Sequence, residues 1–144
     1  MTPSTILLVE DTPDDVFLTL RALQRNAITN ELVVKKDGME ALQWLFGEGG
    51  SGALPKGLPS LILLDLKLPG LDGLEVLRRI RSHPATRHTP VVVLTSSSVS
   101  GDIHSAYDLG ANSFIQKPVD FEQFTRAVRT LATYWLDLNV TAQP

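Results

Sequence analysis

Five residues in this 144-residue chain have side chains suited to phosphate and metal chemistry, and each stands just after a short strand-like run. Glu10 and Asp11 follow Ile6-Leu7-Leu8-Val9, Asp65 follows Leu61-Ile62-Leu63-Leu64, Thr95 follows Val91-Val92-Val93-Leu94, and Lys117 follows Asn112 to Gln116. Three carboxylates brought close together repel and raise one another's pKa. A hard divalent cation resolves that conflict, and magnesium favours a few carboxylates, retained waters and phosphate oxygens. Asp11 and Asp65 are the natural direct ligands, with Glu10 acting through a bound water. Asp65 then keeps one oxygen as a nucleophile, while Lys117 and the Thr95 hydroxyl bind phosphoryl oxygens. Phosphoryl transfer needs mainly positioning and charge neutralisation, which this set supplies.

Taken singly, each residue also has a plainer role. Glu10-Asp11 could open a helix capped by Thr12, Asp65 could belong to the turn at Pro69-Gly70, Thr95 could cap the next helix, and Lys117 could be an exposed residue beside Pro118. What favours a site is the set of elements that carries them. The runs at 6–9 and 61–64 are continuously apolar, as strands buried on both faces are. Further strands are predicted over 31–36, 90–94 and 112–116. Helices are predicted over 13–26 (Val16, Phe17, Leu20, Leu23, Ala27), from Asp37-Gly38 (Ala41, Leu42, Leu45, with Trp44 beside them), over 72–81 (Leu74, Leu77, Ile80), over 103–109 (Ile103, Ala106, Tyr107, Leu109) and from Asp120 to Leu138. Thr12 and Pro13 suit the first helix's cap and first turn. This strict alternation predicts an α/β fold: a five-stranded parallel sheet with helices on both faces, (βα)5, and the two most apolar strands in its interior. All strand carboxyl ends then share one edge, where open α/β sheets bind ligands. The five residues converge there.

Composition bounds the alternatives. A hydrophobic content of 43%, a charged content of 20% and a net charge of −3 describe an ordinary globular domain and argue against nucleic acid as a main partner. There is no cysteine, so disulfides, thiolate metal sites and thiol nucleophiles are excluded. No apolar run approaches membrane-spanning length and the N-terminus lacks signal-peptide features, so a cytoplasmic location is expected. Gly47 to Pro59 holds five Gly and two Pro and is predicted as a surface loop; its glycine spacing fits neither nucleotide-binding fingerprint. Arg78, Arg79 and Arg81 are expected on a solvated helix face, and His83, His88 and His104 at the surface, without metal-ligand spacing.

Glu10-Asp11, the stretch Leu63-Leu64-Asp65-Leu66-Lys67-Leu68-Pro69-Gly70-Leu71-Asp72-Gly73, Thr95-Ser96 and Lys117-Pro118 together resemble the receiver domain of two-component response regulators, over about residues 4–138. The resemblance implies a flavodoxin-like fold and a phosphorelay protein in which Asp65 accepts a phosphoryl group from a histidine kinase phosphohistidine. The protein would catalyse its own aspartyl phosphorylation and dephosphorylation. Glu10, Asp11 and Asp65 would hold Mg²⁺ together with the Lys67 backbone carbonyl. Lys117 would pair with the phosphoryl group, and Thr95 and Phe114 would form the switch. Lys67 and Ser97 would border the path of the attacking water and tune dephosphorylation. The Lys117–Pro118 bond is often cis in such domains.

A narrower resemblance joins the chain to small stand-alone regulators of cyanobacterial and bacterial phytochromes. It rests on Val9 to Asp15, the 47–59 loop, Ser105 to Asn112 and Tyr134-Trp135-Leu136. It implies a homodimer through the last strand and last helix (Phe124, Val128, Leu131, Tyr134, Trp135, Leu138). Residues 139–144 are expected to be a short tail with no output domain, so that output passes through protein contact. Three rivals stand against the phosphoacceptor: a flavodoxin-like cofactor protein, disfavoured because the first strand ends in acids rather than a Ser/Thr-rich phosphate loop, and two others. One is a pseudo-receiver, a binding module not phosphorylated at Asp65. The other is a haloacid-dehalogenase-type phosphatase, which needs a second Asp where this chain has Lys67.

Overall fold

The structure is a computed structural model describing residues 5–47, 58–97, 99–118 and 120–142. Its strands are β1 (Ile6–Val9), β2 (Leu32–Lys35), β3 (Leu61–Leu64), β4 (Val91–Thr95) and β5 (Ser113–Gln116). They form one parallel sheet in the order β2-β1-β3-β4-β5. Every residue of β1, β3 and β4 is buried, while β2 and β5 at the edges are only partly covered. The apolar runs at 6–9 and 61–64 are thus interior strands, as expected, and β4 joins them.

The helices are α1 (Pro13–Arg25), α2 (Gly38–Phe46), α3 (Gly73–Ser82), α4 (Ser100–Asp108) and α5 (Phe121–Ala132). Successive strand residues point to opposite faces, so the sheet builds two cores. Leu7, Val9, Ile62, Leu64, Val91 and Val93 pack with side chains of α2, α3 and α4. Ile6, Leu8, Leu61, Leu63, Val92 and Leu94 pack with α1 and α5. Truncating a buried leucine in either layer to alanine costs about 2–5 kcal/mol, so the two layers hold the sheet edge in place.

The helix faces depart from the predicted stripes in several places. In α1 the buried positions are Thr19, Ala22 and Leu23, while Phe17 and Leu20 are exposed at 61% and 39%. Thr12 occupies the α1 cap position, but its side chain makes no capping hydrogen bond; Pro13 at the first turn already removes one orphan donor. In α3 the inward residues are Val76, Leu77 and Ile80, with Leu74 only partly buried. In α4 Ala106 is buried and Tyr107 is exposed. The predicted last helix is two pieces, α5 and a π-helical segment Thr133–Leu138, closed by the Asn139 N–H donating to the Tyr134 carbonyl at 2.7 Å. Phe124, Val128 and Leu131 lie in the domain's own core, which removes them from the expected dimer surface. The amphipathic stripe they form is the face that α5 turns to the sheet. Trp135 is partly buried against the same core, and Tyr134 and Leu138 are exposed.

Other expectations change with packing. Arg81 is no free surface cation. Its guanidinium donates to the carbonyls of Gly110 (2.8 Å) and Thr89 (2.7 Å) and to Asn112 Oδ1 (2.7 Å), tying α3 to the loops around β4 and β5. Arg78 and Arg79 pair with Glu75 on the exposed face of α3. His83 stacks on Phe46, with ring centroids 4.2 Å apart, so of the three histidines it is not the free surface group expected. The Lys117–Pro118 bond is trans, the isomer the X–Pro amide itself prefers by about 0.5–1 kcal/mol. Of the predicted 47–59 loop, residues 48–57 lie outside the described residues.

One contact sets how closely α3 approaches the end of β3. The Gly73 N–H donates to the Leu66 carbonyl at 2.9 Å. A Cβ at Gly73 would stand 2.3 Å from the Asp65 carbonyl oxygen and 2.6 Å from the Leu66 Cα. Both atoms are backbone and cannot swing aside. Asp72, one residue earlier, caps the helix by accepting from the Glu75 N–H at 3.0 Å. Gly73→Ala is therefore expected to lower stability by about 1–3 kcal/mol, despite the roughly 1 kcal/mol helix-propensity advantage of alanine. Urea unfolding checks this; an unchanged or higher midpoint contradicts the close-approach constraint.

Candidate functional site

The sheet ladder continues one residue past β1, β3 and β5. The Glu10 N–H donates to the Lys35 carbonyl (3.0 Å), the Asp65 N–H to the Val9 carbonyl (3.1 Å) and the Lys117 N–H to the Thr95 carbonyl (2.7 Å). Backbone bonds thus fix Glu10, Asp65 and Lys117 on one edge, beside Thr95 at the end of β4. The four side chains sequence reasoning selected at the strand ends are brought together, and Asp11 joins them from the turn into α1.

Lys117 is the centre of the cluster. Its ammonium contacts a Glu10 carboxylate oxygen, Asp15 Oδ2 at 2.9 Å and Asp65 Oδ2 at 3.2 Å. Its side chain is 10% exposed, those of Glu10 and Asp65 2% and 9%, and that of Asp15 35%. The other Asp65 oxygen, Oδ1, accepts from the Lys67 N–H at 3.3 Å. Glu10, Asp11 and Asp65 each offer an oxygen, all within 4.8 Å of one another, and Asp11 is the exposed member. An all-oxygen set of three carboxylates fits a hard divalent cation, and the excess of negative charge over the single ammonium gives such an ion a favourable place.

Burial divides the two inner acids. Desolvation pushes Glu10 up to about 7, and the Lys117 contact only partly offsets it. Asp65 feels the same desolvation, but hydrogen bonding from Glu10 and Thr95, the Lys117 charge and the Lys67 N–H hold it below the usual carboxylate range. Burial works against the charge on Lys117, yet its bonds to Glu10 and Asp15 raise its pKa well above that of an ordinary lysine. In the metal-free protein Glu10 is therefore the acid that holds a proton near neutrality, and Asp65 is an anion beside an ammonium.

The remaining sequence-selected residues surround this cluster. Thr95 is fully buried and its hydroxyl accepts from the Ser97 N–H at 3.3 Å. Ser97 is itself buried, and its hydroxyl donates to Asp102 Oδ2 at 2.6 Å and accepts from the Val99 N–H at 3.4 Å, so it ties down the start of α4. The Lys67 side chain is exposed. Phe114 is partly buried against the α2–α4 core, paired in register with Val93, which precedes Thr95 by two residues on the same strand face. His88 and His104 are exposed, away from the cluster's contacts. A cavity of about 490 Å³ lined by Met39, Leu42, Phe46 and His83 carries none of these groups.

Asp15 is the residue that sequence reasoning missed. Its charge suits the positive end of α1, a local role sufficient to explain an acid there. A usable signal was its place on the first turn of a helix that starts at the sheet's carboxyl edge, four residues after Asp11.

Comparison with known proteins agrees with this geometry. The family model described as response regulator receiver domain matches residues 6–129. The probable methanogenesis regulatory protein FilR2 of Methanothrix harundinacea is 40% identical over 142 residues, 99% of this chain and 90% of that protein. Response regulator Rcp1 of Synechocystis sp. is 37% identical over 135 residues, covering 94% and 90% of the two chains. The Mn²⁺-bound form of Rcp1 superposes with a TM-score of 0.86 at 36% identity, covering 97% of this chain and 99% of that one. The phosphorylated cyanobacterial phytochrome response regulator RcpA superposes with a TM-score of 0.87 at 38% identity, covering 98% and 99%. With the parallel five-stranded sheet and its acidic edge, these matches establish that the chain belongs to the response regulator receiver domain family.

Proposed function

We propose that this chain is a single receiver unit over residues 4–138 that takes a phosphoryl group from a histidine kinase phosphohistidine onto Asp65. The observation that carries this reading is the pairing of a buried, ionised Asp65 with Lys117 across 3.2 Å, beside Glu10 and Asp11. An Asp65 oxygen attacks phosphorus, the P–O bond forms as the P–N bond breaks, and the imidazole departs. Lys117 and the Thr95 hydroxyl bind phosphoryl oxygens as the carboxylate charge moves into the acyl phosphate. Glu10, Asp11 and Asp65, with the Lys67 carbonyl, would hold Mg²⁺, which when bound neutralises the negative charge of the phosphoryl oxygens. Drawing Thr95 toward the phosphoryl group frees space beside Phe114, and that coupled shift carries the signal to the surface of α4 and β5. Lys67 tunes the lifetime of the acyl phosphate. Ser97 does so only indirectly, since its hydroxyl is engaged by Asp102.

The likeness to Rcp1 and RcpA supports a phytochrome-type sensor kinase as donor. Output passes through contact between the receiver surface and a partner protein. No helix among the described residues is long and apolar enough to cross a membrane. Exposed Tyr134 and Leu138, flanking the half-buried Trp135, remain as the apolar part of a homodimer surface. With Phe124, Val128 and Leu131 taken up by the core, that surface is smaller than the sequence implied.

Three measurements test this function. Incubation with Mg²⁺ and a panel of phosphodonors is expected to label the wild-type protein and to leave Asp65→Asn unlabelled. Label that survives the substitution removes Asp65 as acceptor, and no label from any donor favours the pseudo-receiver. Sedimentation at tens of micromolar is expected to show a dimer that Tyr134→Ala with Leu138→Ala converts to monomer; a wild-type monomer with and without a phosphoryl mimic removes the dimer.

The third concerns protons. The folded-state pKa of Glu10, about 7, lies above its ordinary value of 4.5, so the metal-free fold retains a proton the unfolded chain has lost. That contribution to stability is complete at low pH and falls away as pH rises from 4.5 to about 7. Ligation requires the carboxylate, so Mg²⁺ affinity is expected to rise with pH and flatten above about 7. At about pH 6 calorimetry in buffers of different ionisation enthalpy should show about one proton released per ion, and none for Glu10→Gln. Buffer-independent heats in the wild type contradict the protonated Glu10.

A further inference from the structure

We propose that Asp15 is the positioning residue for Lys117: the carboxylate that keeps the ammonium at the site once a cation has claimed the others. The inference rests on the phosphoacceptor reading and extends it to a residue outside the five at the strand ends. Lys117 has three N–H donors and three carboxylate partners, Glu10, Asp15 and Asp65. Two of those, Glu10 and Asp65, belong with Asp11 to the group whose oxygens converge within 4.8 Å and fit a cation. Asp15 does not. A bound cation draws charge from Glu10 and Asp65, and phosphorylation turns one Asp65 oxygen into the bridging oxygen of an acyl phosphate. Asp15 is then the full carboxylate left to Lys117.

The local structure holds Asp15 ready for that task. Pro13 starts α1, the Val16 N–H donates to the Thr12 carbonyl at 3.0 Å, and the buried Thr19 hydroxyl donates to the Asp15 carbonyl at 2.7 Å. The carboxylate therefore projects from a fixed helical turn, while Lys117 reaches it on a four-carbon stem from the end of β5. A free lysine stem samples many rotamers, and ordering it is costly. A fixed anion 2.9 Å from the ammonium has already restricted it. Asp14, exposed on the same turn, carries the same charge and contributes equally to the helix dipole, but makes no such contact with Lys117.

The test compares wild type, Asp15→Ala, Asp15→Asn, Asp15→Glu and Asp14→Ala in the full chain. Nitrogen-15 NMR of the lysine ammonium groups in Mg²⁺ is the first readout, because it does not depend on phosphoryl chemistry. Wild type, Asp15→Glu and Asp14→Ala are expected to keep a protected Lys117 ammonium signal, and Asp15→Ala is expected to lose it. Calorimetric titration with beryllofluoride in Mg²⁺ is the second. Asp15→Ala should bind it about tenfold more weakly, with Asp15→Asn between and Asp14→Ala unchanged, while Mg²⁺ affinity shifts equally in Asp14→Ala and Asp15→Ala. Equal beryllofluoride affinity in the Asp15 and Asp14 variants, or an Asp15→Ala protein that keeps the ammonium signal, overturns the proposal. A wild type that takes no beryllofluoride overturns the phosphoacceptor reading instead, and the ammonium signal still decides the role of Asp15.

Discussion

The Lys117 ammonium, held among carboxylates at the end of a parallel sheet, is the interaction on which the rest of this structure depends. It joins β5 to β1, β3 and α1 through Glu10, Asp65 and Asp15. Such a cluster is costly to bury, and removing one partner from a buried pair typically costs about 3–5 kcal/mol because it strands the other charge. What makes the arrangement tolerable is distribution of charge. Glu10 takes up a proton near neutrality, Asp65 stays ionised, and Asp11 and Asp15 lie nearer water. The same imbalance of charge gives a divalent cation and a phosphoryl group something to relieve.

Holding those charges within hydrogen-bonding distance demands a rigid frame. Strands β1, β3 and β5 deliver Glu10, Asp65 and Lys117 through backbone bonds that run one step beyond each strand. The turn after β3 comes back so tightly that Gly73 leaves no room for a side chain against the Asp65 backbone. At the far end of α3, Arg81 fastens the helix to the loops before β4 and before β5 through the Thr89 and Gly110 carbonyls and Asn112. Rigidity near Asp65 and looser packing at β5 and α4 are compatible with a switch: Phe114, Ile103 and Tyr107 are less completely buried than the interior strands.

Much of this was legible in the residues. Uninterrupted apolar runs at 6–9, 61–64 and 91–94 announce strands covered on both sides, and strict alternation with helices fixes the shared edge. The acids at 10, 11 and 65, Thr95 and Lys117 then fall together without knowledge of strand order. Finer features depend on three-dimensional packing. Phe17 and Leu20 satisfy the helical period of α1 yet point outward, because the sheet covers only the side bearing Ala22 and Leu23. Of the last-helix residues expected at a dimer surface, Phe124, Val128 and Leu131 are core, and the stretch bearing Tyr134, Trp135 and Leu138 is wound as a π-helical segment. Asp15 and Arg81 escaped notice for the same reason: each had a sufficient local role, as a dipole partner or a surface charge, and only the fold supplies their distant partners.

The most direct test of the central claim is chemical identification of the phosphorylated atom. The protein is treated with a small-molecule phosphodonor and Mg²⁺, reduced with borohydride, digested and sequenced by mass spectrometry. Borohydride converts an aspartyl phosphate to homoserine. Homoserine at position 65, absent when Mg²⁺ is withheld, is the expected result. Aspartate still intact at 65, or homoserine at any other acid of the cluster, contradicts Asp65 as the phosphoacceptor.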